Sequence, residues 1–463
     1  MIMNIVFDTD LINRYDNTGP RYTSYPTAVE FSEEFTEAHY RNAALETNED
    51  PIPRPLSLYF HIPFCESVCF YCACNKVVTK NRSRAESYLG YLKKEIEFQS
   101  ELFNHDRKVL QLHWGGGTPT YFNPTQITEL MAHTRQQFDL LEDDSGDYSI
   151  EIDPRTAQAD TIPFLRDMGF NRISFGIQDF DPTVQKAVNR VQSTEQVETL
   201  FMQARRASVR SINVDLIYGL PFQSVASFEK TLDHTIALSP DRLSIFNYAH
   251  LPRLFRPQRN INAEDLPSAA EKLAIFKMSI DKLVQAGYVY IGMDHFAKPD
   301  DELAIAQSEG KLFRNFQGYT LLGDCDLVGM GQSAISQVDD VYCQHVKTED
   351  QYAAAIEAGQ IGIQRGVALN FDDKIRRAVI MQLMCDFSLD IKKFESKSNI
   401  LFSQYFNQEL AKLKPMQEDG LVQITDTEIT VAPSGRLLVR NICQIFDAYR
   451  QGTTNISYFS KTI

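Results

Sequence analysis

Apolar positions along this chain switch repeatedly between a period of two and a period of three to four. Leu56-Ser57-Leu58-Tyr59-Phe60-His61-Ile62 alternates, with Leu56, Leu58, Phe60 and Ile62 on one face, and predicts a strand. A helix is expected over 84–102. The same alternation of element types then recurs: strand 109–114 with helix 124–141, strand 148–152 with a helix through 164, strand 172–177 with helical material from 181, strand 211–217 with helix 224–238, and strand 242–248. Strand followed by helix, six times, predicts parallel β/α units with right-handed crossovers. Six units rather than eight suggest an open, partial barrel, although periodicity alone does not separate it from a doubly wound sheet.

Beyond that repeat the pattern changes. Residues 260–369 are mixed, with a helix expected over 263–286 and a strand over 288–291. Further on, 372–385 and the stretch after 399 read as amphipathic helices, 421–431 as a hairpin turning at Asp426, and 433–449 as a last helix. The expected division is an N-terminal extension over the barrel mouth (1–54), the barrel with its additions (55–369) and a mostly helical, winged-helix-like domain (370–463).

Composition is that of an ordinary globular protein: 463 residues, 43% hydrophobic. The net charge of −15 opposes nonspecific binding to nucleic acid or to anionic membranes. No apolar run is long enough to span a bilayer and no secretory signal opens the chain, so a cytoplasmic location is expected.

Chemistry concentrates at the ends of the predicted strands. Cys65, Cys69, Cys72 and Cys74 lie in HIPFCESVCFYCACNK, directly after the first strand. The first three are spaced C-x3-C-x2-C. Three thiolates can hold three irons of a four-iron cubane and leave the fourth open to a small molecule. A structural zinc site is the alternative, but zinc sites usually join two C-x2-C-like pairs a dozen or more residues apart, and no second pair follows. Cys325, Cys343, Cys385 and Cys443 are scattered and read as reduced, packed thiols. Gly115-Gly116-Gly117-Thr118 follows the second strand, where backbone can approach a ligand closely. Glu151, Gln178 and Asp215 sit at or near the ends of the third, fourth and fifth strands, as candidate acceptors for an ammonium group.

These motifs resemble the radical S-adenosylmethionine (SAM) superfamily. Within it, GPRYTSYPT (19–27), the additional Cys74, HWGGGTPT (113–120), EIDPR (151–155) and RNFQGYT (314–320) resemble the oxygen-independent coproporphyrinogen III oxidase family. The resemblance runs from about Tyr15 to the C-terminus. It implies an α/β fold built on a partial (β/α)6 barrel, with an N-terminal helical extension and a winged-helix-like C-terminal domain. It also implies oxidative decarboxylation of two propionates of coproporphyrinogen III to vinyl groups, giving protoporphyrinogen IX without molecular oxygen.

Residue by residue, the resemblance implies one [4Fe-4S] cluster on Cys65, Cys69 and Cys72. It implies two SAM molecules. Tyr59, Tyr71, Gly116, Gly117, Thr118, Glu151, Gln178, Arg190, Asp215, Ala249 and Ile335 line SAM sites, and Phe316 and Gln317 sit near the second. Cys74 and Tyr59 are the candidate catalytic residues. Ala73 and Gln332 depart from the family pattern, which has glycine and an apolar residue at those positions. A strongly reducing cluster leads us to expect few hydrogen-bond donors at its sulfurs. The substrate's carboxylates suit arginine forks; Arg21 is the first candidate, and Arg253, Arg256 and Arg259 form the second. Expected partners are coproporphyrinogen III, a one-electron reductant and an electron acceptor, with no nucleic acid and no membrane, for a monomeric enzyme. A haem-binding trafficking protein with the same three cysteines is the competing function; such relatives usually lack Cys74 and the tyrosine-rich N-terminal segment.

Overall fold

The computed structural model describes residues 5–450. Two compact units divide them. The larger comprises Phe31–Ser279 and Asp324–Ala368; the other comprises Ile280–Gly323 and the described residues of Met1–Glu30 and Leu369–Ile463.

The larger unit is built on one sheet. Its strands are β1 (Leu56–Ile62), β2 (Lys108–Gly116), β3 (Asp147–Ile152), β4 (Arg172–Gln178), β5 (Ser211–Tyr218), β6 (Arg242–Asn247), β7 (Asp326–Met330), β8 (Ile335–Val338), β9 (Val341–His345) and β10 (Ile363–Ala368). They lie side by side in the order β6-β5-β4-β3-β2-β1-β7-β8-β9-β10. Neighbours are parallel from β6 through β1 to β7, and antiparallel from there on. The six β/α units expected from the sequence are therefore present, and the partial barrel has an extension on the β1 side. Parallel strands are covered on both faces, which explains why β1 buries every side chain except Tyr59.

Helices α1 (Arg82–Ser100), α2 (Pro124–Gln137), α3 (Thr161–Asp167), α4 (Thr194–Arg206) and α5 (Val225–Leu238) connect the strands. Their starts are set by side chains that accept orphan backbone N–H groups: Asn81 for α1, Asn123 for α2, Ser193 for α4 and Ser224 for α5. The Asn81 cap starts α1 two residues earlier than its apolar periodicity suggested. Conversely, α2 ends at Gln137, short of the expected 141. Asp139 and Leu140 are drawn instead into pairing with Lys108 and Val109.

The expected helix over 263–286 is interrupted. A 3-10 turn covers Ala263–Asp265 and the helix proper is Ala269–Gln285. Pro267 explains the break, because the residue before a proline is pushed out of the helical region. The mixed stretch also hides β7 to β10. Its β8–β9 hairpin turns at Asp339, whose φ is +48°.

The other unit holds helix Phe371–Asp386 and a three-stranded sheet in which Glu428–Val431 lies between Ser388–Asp390 and Val422–Ile424. The hairpin at Asp426 forms as expected; the third strand, Ser388–Asp390, was not legible. The last helix is shorter than predicted, Val439–Phe446 between two 3-10 turns. Phe394, Phe402, Phe406 and Phe446 interlock at centroid distances of 4.8 to 6.5 Å to form its aromatic core. Residues of the GPRYTSYPT segment are built into this unit. Arg440 donates to the carbonyls of Gly19 and Pro20, and the Tyr22 hydroxyl donates to Asp447 at 2.9 Å. No described helix is long and apolar enough to cross a membrane.

Candidate active site

The cysteine loop is held at both ends and in the middle. At its start, the glycine run of β2 clamps it: Gly117 N donates to Ile62 O and Thr118 N to Phe64 O, each at 2.8 Å. At its end, Val77–Val78 returns to pair with Phe64–Cys65. In the middle, Phe70 N donates to Val188 O at 2.9 Å and Asn189 Nδ2 to Val68 O at 2.7 Å. The clamp requires glycine. Gly116 has φ +110° and a Cβ there would lie 2.6 Å from the His61 ring; at Gly117 it would lie 2.5 Å from the Pro63 carbonyl.

Charge gathers on Cys69, which is buried. Arg155 Nη2 and Arg190 Nη1 both donate to its sulfur, at 3.3 and 3.4 Å. Asp153 accepts from both guanidiniums, at 2.6 and 3.0 Å. Burial would raise the Asp153 pKa, but Arg190 and Arg155 outweigh it and hold the carboxyl below its ordinary value. The sulfurs are thus not free of donors, contrary to the expectation for a strongly reducing cluster. The Asp153 carboxylate offsets one of the two cations. Cys65 lies 3.6 Å from the Thr118 hydroxyl and burial pushes its thiol up to about 11. Hydrogen bonding from Cys74, with the Lys76 ammonium, pulls Cys72 down to about 6. Cys74 itself is exposed, and its shared proton with Cys72 raises it. The four remaining cysteines are buried thiols.

Among the described residues no three His, Cys, Asp or Glu side chains converge on a single-ion site. A cubane makes a different demand, one soft thiolate for each of three irons. Three thiols on one anchored loop, with cations at the buried one, fit that demand.

A second constellation lies across the strand ends. Glu151 on β3 accepts from Gly116 N at 3.2 Å and faces His113 Nε2 at 3.5 Å. Burial works against its charge, but His113 and the Gly116 amide win, and its pKa falls. Tyr59 stacks on the His113 ring at 5.8 Å and hydrogen-bonds His61 Nδ1 at 3.0 Å. Asp215 on β5 accepts from Ser174 and Asn213; burial and the Glu151 charge push it up to about 6. Gln178 ends β4 at φ +72°, and its buried Oε1 has no donor. Gln258 ties two further candidates together, its Nε2 donating to Tyr71 O at 3.0 Å and Ala249 O at 3.2 Å. Ile335 opens β8.

The larger unit therefore carries Cys65, Cys69, Cys72, Cys74, Tyr59, Tyr71, Gly116, Gly117, Thr118, Glu151, Gln178, Arg190, Asp215, Ala249 and Ile335. Phe316, Gln317 and Arg21 belong to the other unit. Arg21 Nη1 donates to Asp294 at 2.6 Å. Of the second arginine group, Arg256 and Arg259 lie in the 3-10 turn Arg256–Asn260, where Arg259 bonds the Pro252 carbonyl.

Residues 59–235 match the radical SAM superfamily model and residues 369–438 the HemN C-terminal domain. The oxygen-independent coproporphyrinogen III oxidase of Pseudomonas aeruginosa is 52% identical over 463 residues, covering 100% of both chains. Its Escherichia coli counterpart is 49% identical over 462 residues, again covering 100% of each. The chain belongs to the oxygen-independent coproporphyrinogen III oxidase family. The solved coproporphyrinogen III oxidase (HemN) of E. coli, described as a radical SAM enzyme, superposes with a TM-score of 0.91 at 49% identity, covering 96% of this chain and 100% of that one.

As a coproporphyrinogen III oxidase of the radical SAM type, the chain is an oxidoreductase of porphyrin and haem biosynthesis. It uses a [4Fe-4S] cluster with three cysteine ligands, and SAM. The zinc and haem-trafficking alternatives give way to that assignment. His113, Asp153 and Arg155 lie inside the sequence motifs, but no task for them was expected. The signal was available: EIDPR places Asp153 and Arg155 directly after a strand that already supplied Glu151. Gln258 carried no such signal.

Proposed function

We propose the following division of labour for the oxidative decarboxylation of two propionates of coproporphyrinogen III to the vinyl groups of protoporphyrinogen IX. Cys65, Cys69 and Cys72 hold the cluster. A cluster held there would pass one electron from the external reductant to bound SAM, whose carbon–sulfur bond would break to methionine and a 5′-deoxyadenosyl radical able to remove hydrogen from the propionate carbon β to its carboxylate. Loss of carbon dioxide and one electron then leaves the vinyl group.

The chain's own residues position and insulate this chemistry. Glu151 and Asp215 accept from the SAM ammonium, while Gly116, Gly117 and Thr118, whose amides are spent on Glu151 and the cysteine loop, line the pocket. Tyr59, Tyr71, Gln178, Arg190, Ala249 and Ile335 complete the pocket. The orphaned Gln178 Oε1 is an acceptor in need of a donor, as an ammonium would supply. Phe316 and Gln317 serve a second SAM, and Arg21 a substrate carboxylate. Exposed Cys74 serves turnover rather than cluster binding. The enzyme acts as a cytoplasmic monomer with a separate one-electron reductant and electron acceptor.

The observation that carries this reading is the Arg155–Asp153–Arg190 triad converging on the buried Cys69 sulfur. The test is anaerobic reconstitution followed by incubation with SAM, a reductant, cell extract as acceptor and coproporphyrinogen III. Protoporphyrin fluorescence and 5′-deoxyadenosine are expected from the wild type, and serine at Cys65, Cys69 or Cys72 should abolish both together with iron binding. Iron retained at wild-type content in any of these three variants refutes the ligand assignment.

A further inference from the structure

The hairpin of Phe313–Asn315 and Gly318–Thr320 carries a buried guanidinium whose hydrogen bonding is incomplete. Arg314 is 9% exposed, and neither its Nε nor its Nη1 meets an acceptor. Its guanidinium carbon lies 4.6 Å from the centroid of the Tyr319 ring, which in turn meets His295 edge-on at 5.3 Å. A desolvated cation–π contact returns about 2 kcal/mol, whereas taking an ion out of water costs several. In the turn of the same hairpin, the buried Gln317 Nε2 also lacks an acceptor. All three orphaned atoms are donors. What they lack is therefore an acceptor-rich group, and the fixed charge of Arg314 makes an anion the best match.

The surroundings are cationic as well. Arg21 and Arg314 both act on His295 and on Arg440; burial first, and then these cations, pull His295 down to about 3 and Arg440 to about 10. The Asp294 carboxylate opposes them, but it is engaged by Arg21 at 2.6 Å. Arg440 is committed to the Gly19 and Pro20 carbonyls. Among these groups Arg314 is the guanidinium with two buried donors that meet no acceptor.

We propose that Arg314 and Gln317, with Arg21 alongside, form a carboxylate-binding site of this enzyme, in which the Arg314 fork holds the carboxylate and Asp294 fixes Arg21. The reaction as read above offers two sources of that group, a substrate propionate and the amino-acid carboxylate of SAM. The inference rests on that reading for the identity of the ligands alone.

The test compares anaerobically reconstituted wild type with Arg314→Met and Arg314→Lys, measuring equilibrium affinity for coproporphyrinogen III and for SAM separately. Losing a two-pronged, charge-assisted contact should weaken one ligand by about 10- to 100-fold and leave the other within about twofold. Lysine, which keeps the charge without the fork, should recover part of the loss. A loss confined to the porphyrinogen assigns the site to a propionate; one confined to SAM assigns it to the amino-acid carboxylate. Either supports the proposal. Unchanged affinity for both, in a variant that melts like wild type, overturns it. Should Arg314→Met fail to fold, Gln317→Leu gives the same reading: a several-fold loss for one ligand supports the site, and none overturns it. Wild type that turns over substrate while the variants bind normally defeats this inference alone; wild type without turnover defeats the reading of the residues above.

Discussion

Asp153 sets the charge next to Cys69, a proposed cluster ligand, and replacing it with asparagine should make a cluster held there a weaker reductant. Its carboxylate lies 3.0 Å from Arg190 Nη1, which lies 3.4 Å from the Cys69 sulfur. The path through Arg155 is 2.6 and 3.3 Å. Carboxylate and sulfur are thus no more than about 6 Å apart, and at an effective dielectric of about 20 a unit charge at that distance is worth about 3 kcal/mol. For a one-electron couple this converts to a potential on the order of 100 mV. Asp153→Asn keeps the shape and one acceptor but leaves two guanidiniums uncompensated beside the thiolate. Positive charge favours the reduced cluster, so the potential should rise by about that amount. An anaerobic potentiometric titration followed by electron paramagnetic resonance reads it directly, with slower 5′-deoxyadenosine release as the companion measurement. A potential that stays at the wild-type value or falls, at unchanged iron content, refutes the argument that Asp153 tunes the site.

Glu95, fully buried on α1, accepts from Gly331 N at 2.8 Å, from the Tyr352 hydroxyl and from His345 at 2.6 Å. Glu95→Gln should cost about 3 kcal/mol, because it removes the charge and leaves one buried donor unpaired. The Glu95 partner raises His345 above its ordinary value despite burial. That contribution is fully present below about pH 6.5 and is lost as pH climbs through the raised folded value. The gap in thermal midpoint between wild type and Glu95→Gln should therefore narrow from pH 6 to pH 9; a gap independent of pH contradicts the ion pair. In its proposed role Asp215, raised to about 6, must be ionised to hold the SAM ammonium. SAM affinity measured by equilibrium dialysis should fall as pH drops through 6, and a similar fall in Asp215→Asn would count against this role. Cys74→Ser should retain full iron content while protoporphyrin formation drops; loss of iron would make Cys74 a ligand instead.

By itself the sequence determined the parallel β/α repeat, because buried parallel strands and amphipathic crossover helices have different apolar periods. It also determined the chemistry, because C-x3-C-x2-C on one loop is a local pattern. Glu151 and Gln178 were legible as residues at the C-terminal ends of their strands, which face one mouth in such a fold, and Asp215 as a carboxylate within the fifth strand. Other features depended on partners distant in the chain. The β7 to β10 extension was hidden because strands of four to six residues show too little periodicity and form only when β1 offers an edge, as Leu56 does to Asp326. The cations on Cys69 come from positions 86 and 121 residues away. The tie from Tyr71 to Ala249 runs through Gln258, 187 residues from Tyr71. The unmet hydrogen bonding of Arg314 was invisible for the same reason: an arginine in sequence looks solvated, and only packing reveals that two of its donors are buried without an acceptor. Local pattern fixes which elements form and which atoms can react, whereas burial and long-range contact decide how strongly those atoms are charged and what they still need to bind.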